Sequence, residues 1–334
     1  MEFIQEKTTF KKILPFIISL IIILGLLTLG YFFDLDISKA VVRLDNGNYY
    51  SSAPIPVFFE IVGVHPLYIM VAIGVGFIIN FVKKFKKKGL RIVSIIILSI
   101  VVFLAYVLTI KRMIRYICEN NGSAFYVDKK MLVYLISILS GLVCGALTIF
   151  LTSKVKDENV NKMAIWGLIV VGTALLSQGI VQLVKPLLGR LRYRAMYVLE
   201  YNGYPEQAIF QRFLHFNGKG TLTEEMINLG MDKDIFKSCP SGHSSSSTMV
   251  LCLGLIPSIL GLKNKKYLLW NSLIWSVSVI YVIFLSYTRI VVGAHFLTDV
   301  TLGVAITYLS MVLVFFIIKK VLAKHYEKSN NTSN

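Results

Sequence analysis

The chain has 334 residues, of which 55% are hydrophobic, and a mean hydropathy of +0.69, which argues against a soluble domain and makes a bilayer the expected solvent. Its formal net charge is +17, from 35 Lys and Arg against 18 Asp and Glu. The cations sit in short clusters between apolar runs, the pattern of membrane topology rather than of a nucleic-acid surface, so no nucleic-acid partner is expected.

Residues 1–12 are polar and carry Lys7, Lys11 and Lys12, and the run 13–33 is long enough to cross about 30 Å of hydrocarbon. No small-x-small cleavage site follows it, so it reads as a retained span, although an uncleaved signal-like anchor has the same appearance. Residues 34–65 are mixed. There the spacing of Ile37, Ala40, Val41 and Leu44 fits a short amphipathic helix at the interface, and an ordinary loop fits nearly as well. Further apolar runs follow at 66–82, 92–110, 131–152, 163–184, 243–262, 267–287 and 295–318, which makes eight candidate spans. The expected fold is all-α, a polytopic helix bundle forming a single integral membrane domain over residues 1–334, with a polar tail at 322–334.

Counting Lys and Arg on alternate sides of these spans gives 19 on the N-terminal side and 16 on the other, the latter spread over more than twice the length. Short cationic loops decide orientation, so both termini are expected in the cytoplasm, with residues 263–266 inside and 217–221 outside. Four cysteines, Cys118, Cys144, Cys239 and Cys252, lack zinc-site spacing, and no metal site is expected. Cys144 and Cys252 read as packing residues. Cys118 and Cys239 both fall in loops on the outer face, where a disulfide and two free thiols are both open.

Three stretches carry the chemistry, and all three fall on that outer face. In the first, KPLLGRLR at 185–192, Lys185 and Arg192 are seven apart, so on a continuing helix they share one face about 10 Å apart in rise. Pro186 and Gly189 leave a looser arrangement equally open. The competing reading is a basic interface cluster with Arg190 and Arg194, meeting anionic lipid headgroups. In the second, CPSGHS at 239–244, Pro240-Ser241-Gly242-His243 opens an apolar run, so Ser241 would cap a helix, Gly242 would let the backbone approach a ligand, and His243 would stand beside it with a proton to give. A capped helix start with an interfacial histidine is the plainer alternative. Ser244–Ser247 and Thr248 read as small residues for close helix packing.

In the third stretch, TRIVVGAHFLTD at 288–299, His295 and Asp299 are i and i+4. On one helix face the carboxylate would accept from one ring nitrogen and leave the other as a nucleophile, with Arg289 nearby for an anion. A structural His–Asp pair tying two helices is the alternative. His65, His215 and His325 have no partnered spacing and are expected at the surface or interface.

The pattern K-x6-R, P-S-G-H, [ST]-R-x5-H-x3-D resembles the signature of the type 2 phosphatidic acid phosphatase and vanadium haloperoxidase superfamily, in its integral membrane lipid phosphatase branch. The motif-bearing core covers about 163–318, and the family's six-helix core needs one or two earlier spans as well. The resemblance implies His295 as nucleophile forming a phosphohistidine, Asp299 orienting it, and His243 protonating the leaving oxygen and then activating water. It implies Lys185, Arg192, Ser241, Gly242 and Arg289 as the phosphate-binding set, with no metal and no cofactor. The implied partners are membrane lipids and a lipid phosphate or pyrophosphate substrate, such as phosphatidic acid, phosphatidylglycerophosphate or a polyprenyl diphosphate, at the extracytoplasmic face of a bacterial cell membrane. A phosphoryl or headgroup transferase of the same fold is the neighbouring reading, and a non-catalytic lipid-binding or transport protein the reading from another class. Two departures stand out. Tyr193 follows Arg192 where the family usually has proline, which predicts a looser loop there, and Thr288 stands where serine is commoner.

Overall fold

With no water in a bilayer to satisfy them, the backbone groups of long apolar runs must bond within the run, so such runs fold as helices. The computed structural model describes residues 10–42, 53–201, 203–216, 221–228, 230, 232–262 and 264–331, and these are helical with no strand among them. Among the described residues, eight helical segments are long and apolar enough to span a membrane, as the sequence pattern predicts. In chain order the helices used below are α1 (Phe10–Val41), α2 (Pro54–Val62), α3 (His65–Val82), α4 (Lys88–Asn120), α5 (Lys130–Ser153), α6 (Val160–Leu188), α7 (Tyr193–Tyr201), α8 (Gly242–Thr248), α9 (Lys265–Val291) and α10 (Leu297–Asn331). Together α2 and α3 make one span, Pro54–Val82. The sixth span, Gly242–Leu260, starts as α8 and continues through a 3-10 stretch, Met249–Leu255.

Two boundaries differ from the sequence reading in ways that matter. α1 runs on to Val41, so residues 37–41 are its last turn and form neither a separate interfacial helix nor a loop; Leu44 lies outside the described residues. The continuation has a cause, because Asp34 and Ser38 are one turn apart and almost fully buried, which turns that end of α1 towards protein while Phe32 and Phe33 face outward. α4 extends to Asn120, past the expected limit of 110, and its last turns carry Tyr116 to the ring of His243, 5.5 Å between centroids.

Between helices in lipid, association depends on close packing, and small residues permit it. α3 and α6 meet at Gly74 and Gly167, where a Cβ on Gly167 would lie 2.3 Å from the Gly74 carbonyl oxygen. Beside that contact Trp166 is fully buried and donates from Nε1 to the Cys252 carbonyl at 2.7 Å, and Trp275 donates to the Gly254 carbonyl at 3.2 Å. Both acceptors lie in the 3-10 stretch of the sixth span, so the irregular turn keeps its carbonyls satisfied inside the bundle. The outward surfaces of α1, α4 and α9 carry exposed Ile, Leu, Val and Phe, while serines, threonines and charged groups lie inside, the distribution expected of a lipid-solvated bundle. The serines and threonine at 244–248 are all buried as packing residues.

Several polar groups sit where the sequence did not place them. His65 is buried, 6% exposed, at the start of α3 rather than at the surface. All four cysteines are free: Cys118 is buried at the end of α4, whereas Cys239 packs with Leu188 and Phe213, and the two do not pair. The polar stretch after α7 is folded as a small cap, with Ile209, Met226 and Phe236 in one cluster with Met196, Leu199 and Phe296. Of the residues 217–221 expected outside, only the last is described.

Candidate active site

α6 ends where Gly189 adopts a left-handed conformation, φ 53°, its N–H bonded to the Lys185 carbonyl at 3.0 Å. Lys185 and Arg192 are therefore not on one continuing helix; Pro186 is tolerated in the last turn, and residues 189–192 turn beneath the cap. Tyr193 does not loosen this segment. Arg192 donates from its backbone N–H to Ile235 O at 2.8 Å and from Nε to Asp234 O at 3.0 Å, Arg194 N–H bonds Gly293 O at 2.8 Å, and the Tyr193 ring is buried edge-on against Phe296. Those contacts supply the rigidity that a proline would otherwise give.

Arg190 is not a lipid-facing member of a basic cluster. It is 1% exposed and fans its guanidinium across the site: Nη1 to Asp299 Oδ1 and to Thr298 Oγ1, both 2.7 Å, Nη2 to Asp34 Oδ2 at 2.9 Å, and Nε to Gln211 O at 2.9 Å. Its Cζ lies 4.1 Å from the Phe296 ring centroid. Asp34 in turn accepts from Thr298 N–H at 3.0 Å and from the Thr298 hydroxyl. One end of α1 thus locks the start of α10.

In the second stretch Ser241 caps α8 as expected, its hydroxyl oxygen accepting from Ser244 N–H at 3.3 Å, and its own N–H donates to the Asp299 carbonyl at 2.9 Å. This second bond ties the second motif to the third. Gly303 allows the contact, since a Cβ there would be 2.4 Å from Ser241 O. Lys185 Nζ comes to 3.5 Å from where a Cβ on Gly242 would stand, so the lysine reaches the start of α8.

His295 and Asp299 do not hydrogen-bond. His295 precedes the first residue of α10, Leu297, so the i, i+4 spacing of a helix does not hold there, and Nδ1 is 3.9 Å from Asp299 Oδ2. The ring instead contacts the Ser238 carbonyl through Nδ1 at 2.6 Å. A carbonyl only accepts, so the network assigns the hydrogen to Nδ1 and leaves the lone pair on Nε2. Asp299 reaches the histidine through Ser238, whose hydroxyl donates to Oδ2 at 2.5 Å, while Phe296 N–H donates to the same oxygen at 2.9 Å. Ser238, Asp34 and Glu60 stand outside the three motifs; the signal in the sequence is a carboxylate closing one apolar run and another inside FFEIV.

Arg289, in the last turn of α9, is fully buried and donates from Nη2 to Glu60 Oε1 at 2.9 Å, whereas its Nε and Nη1 have no hydrogen-bond partner. His243 Nε2 lies 3.0 Å from the Glu60 carbonyl oxygen, which by the same argument assigns Nε2–H and leaves Nδ1 to exchange a proton. Burial, then Arg192, Arg289 and Lys185 around it, hold His295 well below the usual histidine range. Hydrogen bonding to Lys237 lowers Asp234, whose carbonyl holds Arg192 Nε, and burial raises the Cys239 thiol.

The structure thus gathers His295, His243, Asp299, Lys185, Arg192, Ser241, Gly242 and Arg289 at one end of the bundle, with a neutral imidazole nitrogen ringed by cations. Such a site suits attack on a phosphoryl group whose charge the cations hold. Residues 166–322 match a family described as the PAP2 superfamily. Searches of curated proteins and of solved structures find no match. The segment that carries all three motifs is a PAP2 superfamily domain, and that superfamily consists in general of phosphatase-type hydrolases.

Proposed function

We propose that the protein is an integral membrane phosphatase that hydrolyses a lipid phosphate or pyrophosphate, without a divalent metal, through a phosphohistidine on His295. The observation that carries this reading is the 2.6 Å contact of His295 Nδ1 with the Ser238 carbonyl, which assigns the hydrogen to Nδ1 and leaves Nε2 to attack, with Lys185, Arg192 and Arg289 around the ring. Nε2 attacks phosphorus, the bond to the leaving oxygen breaks, and His243 gives that oxygen its proton. Water then attacks the phosphohistidine, returning a proton to His243 Nδ1; the P–N bond breaks and inorganic phosphate leaves, with both histidines restored to their starting state. Lys185, Arg192 and Arg289, with the Gly242 N–H and Ser241, hold the equatorial oxygens, and Asp299 acts through Ser238 to keep the ring oriented. The three side-chain cations supply the neutralisation that Mg²⁺ supplies in other phosphoryl-transfer sites.

The test is phosphate release from phosphatidic acid, phosphatidylglycerophosphate and a polyprenyl diphosphate by purified protein in EDTA, with acid-labile phosphohistidine trapped during turnover. Release that required added Mg²⁺, or turnover with no trapped intermediate, would overturn the reading.

A further inference from the structure

Two carboxylates from outside residues 166–322 enter the site, and they stand in different places. Asp34 lies behind Arg190 and Thr298. Glu60, from α2, lies among the groups assigned to the phosphoryl oxygens. It is 4% exposed, its Oε1 accepts from Arg289 Nη2 at 2.9 Å and is 3.6 Å from Arg194 Nη1, and its backbone carbonyl holds His243 Nε2 at 3.0 Å. A guanidinium presents five N–H donors in a fixed plane, and the two other nitrogens of buried Arg289 have no partner. One arginine is thus half taken by a carboxylate and half left for another anion.

We propose that Glu60 is a positioning residue that serves as the resident anion of the phosphate site: it holds Arg289 in place and, as a fixed negative charge beside the phosphoryl group, weakens the hold on free phosphate. The proposal rests on the phosphatase reading above. Its physical content is the sharing of Arg289. Three cations around His295 would bind the inorganic phosphate product as readily as the phosphoryl group of a substrate, and a like charge a few ångströms away opposes both. A lipid substrate recovers the loss through contacts away from the reacting centre, and free phosphate has no such contacts. The arrangement therefore leaves free phosphate and small soluble monoesters weakly held while a phosphate on a membrane-held chain still binds through its remote contacts, and it favours product release.

The discriminating substitution is Glu60→Gln, which keeps an oxygen acceptor for Arg289 and removes the charge. Purified full-length protein in detergent is equilibrated with radiolabelled inorganic phosphate by dialysis. Glu60→Gln should bind phosphate about tenfold more tightly than wild type, the order of effect of one like charge at this range in a partly buried site. Its kcat on phosphatidic acid should fall as release slows, with KM falling alongside. Glu60→Asp, whose shorter side chain draws the charge back, should bind about threefold more tightly, and it carries the test if the glutamine variant does not fold. A merely structural ion pair gives the opposite sign, because loosening Arg289 weakens phosphate binding. Affinity that is unchanged or weaker in a folded variant overturns the proposal and leaves the phosphatase reading standing. No phosphate binding by wild type, together with no trapped phosphohistidine, removes both.

Discussion

At His295 the chemistry turns on which ring nitrogen carries hydrogen, and that is fixed by Ser238 rather than by the aspartate four residues on. Burial and the cations beside it keep the ring neutral in the folded protein below the ordinary histidine pKa of about 6.5. The native state therefore binds fewer protons here than the unfolded chain does. The stability it contributes is present above about 6.5 and is lost as pH falls from there towards the depressed value. Nitrogen NMR of protein labelled at histidine should show His295 neutral at pH 6, with the hydrogen on Nδ1; a signal from a doubly protonated ring, or from the Nε2–H form, would remove the nucleophile as described. His243 separates from His295 by leaving group. An alkyl alcohol leaves poorly without a proton and a phenol leaves unaided, so His243→Ala should lose about 10²- to 10⁴-fold in single-turnover phosphoenzyme formation on a lipid phosphate and far less on an aryl phosphate. His295→Ala should lose both alike and trap nothing. Equal losses in His243→Ala would mean that it is not the acid. The motifs made these residues legible in the sequence, because each role needs one residue type at one spacing. The path from Asp299 through Ser238 was not legible, since i, i+4 spacing implies a direct pair only inside a helix and His295 lies just outside one.

Among the elements, α1 reads in sequence as a plain apolar span, yet its last turns belong to the site. Asp34 is 2% exposed and accepts from Arg190 and Thr298, so it is the partner of a buried cation and the acceptor for an N–H at the start of α10. Removing one member of a buried pair leaves the other uncompensated, which commonly costs about 3–5 kcal/mol, whereas Arg190 here retains Asp299 and places Asp34→Ala towards the low end. Asp34→Ala should lower the melting temperature in detergent and reduce phosphate release together, and Asp34→Asn, which keeps the acceptor oxygen, should lie between it and wild type. A variant with wild-type melting and activity would show that α1 is only a lipid-facing addition. Hydropathy located α1 because its run exceeds the bilayer thickness, but it could not join Asp34 to Arg190, 156 residues away. For the same reason α2 reads in sequence as part of a mixed stretch: Glu60 breaks the apolar run of residues 54–62 for Arg289, a partner visible only after folding.

For the whole molecule, alternating spans carry the argument. The ends of α1, α4, α6 and α9 and the starts of α2, α8 and α10 lie at one end of the bundle, where Arg190 bonds Asp34 and Thr298, and Glu60 joins Arg289 and His243, whose ring meets Tyr116. The short cationic connections at 83–88 and 154–156, and the start of α9, are at the other end. Moving short Lys- and Arg-rich loops across a bilayer is costly, so the end with those loops is expected in the cytoplasm and the site on the outer face. The cations at the site's own end do not contradict this, since Arg190 and Arg289 are buried against carboxylates and Lys185 and Arg192 line the phosphate site. In a background without the native cysteines, Lys265→Cys should resist a membrane-impermeant maleimide in intact cells and react after permeabilisation, because Lys265 is exposed at the loop end of α9. Arg212→Cys, exposed in the cap beside the site, should react in intact cells. The reverse pattern would place the site in the cytoplasm, and the substrate would then be a lipid of the inner leaflet.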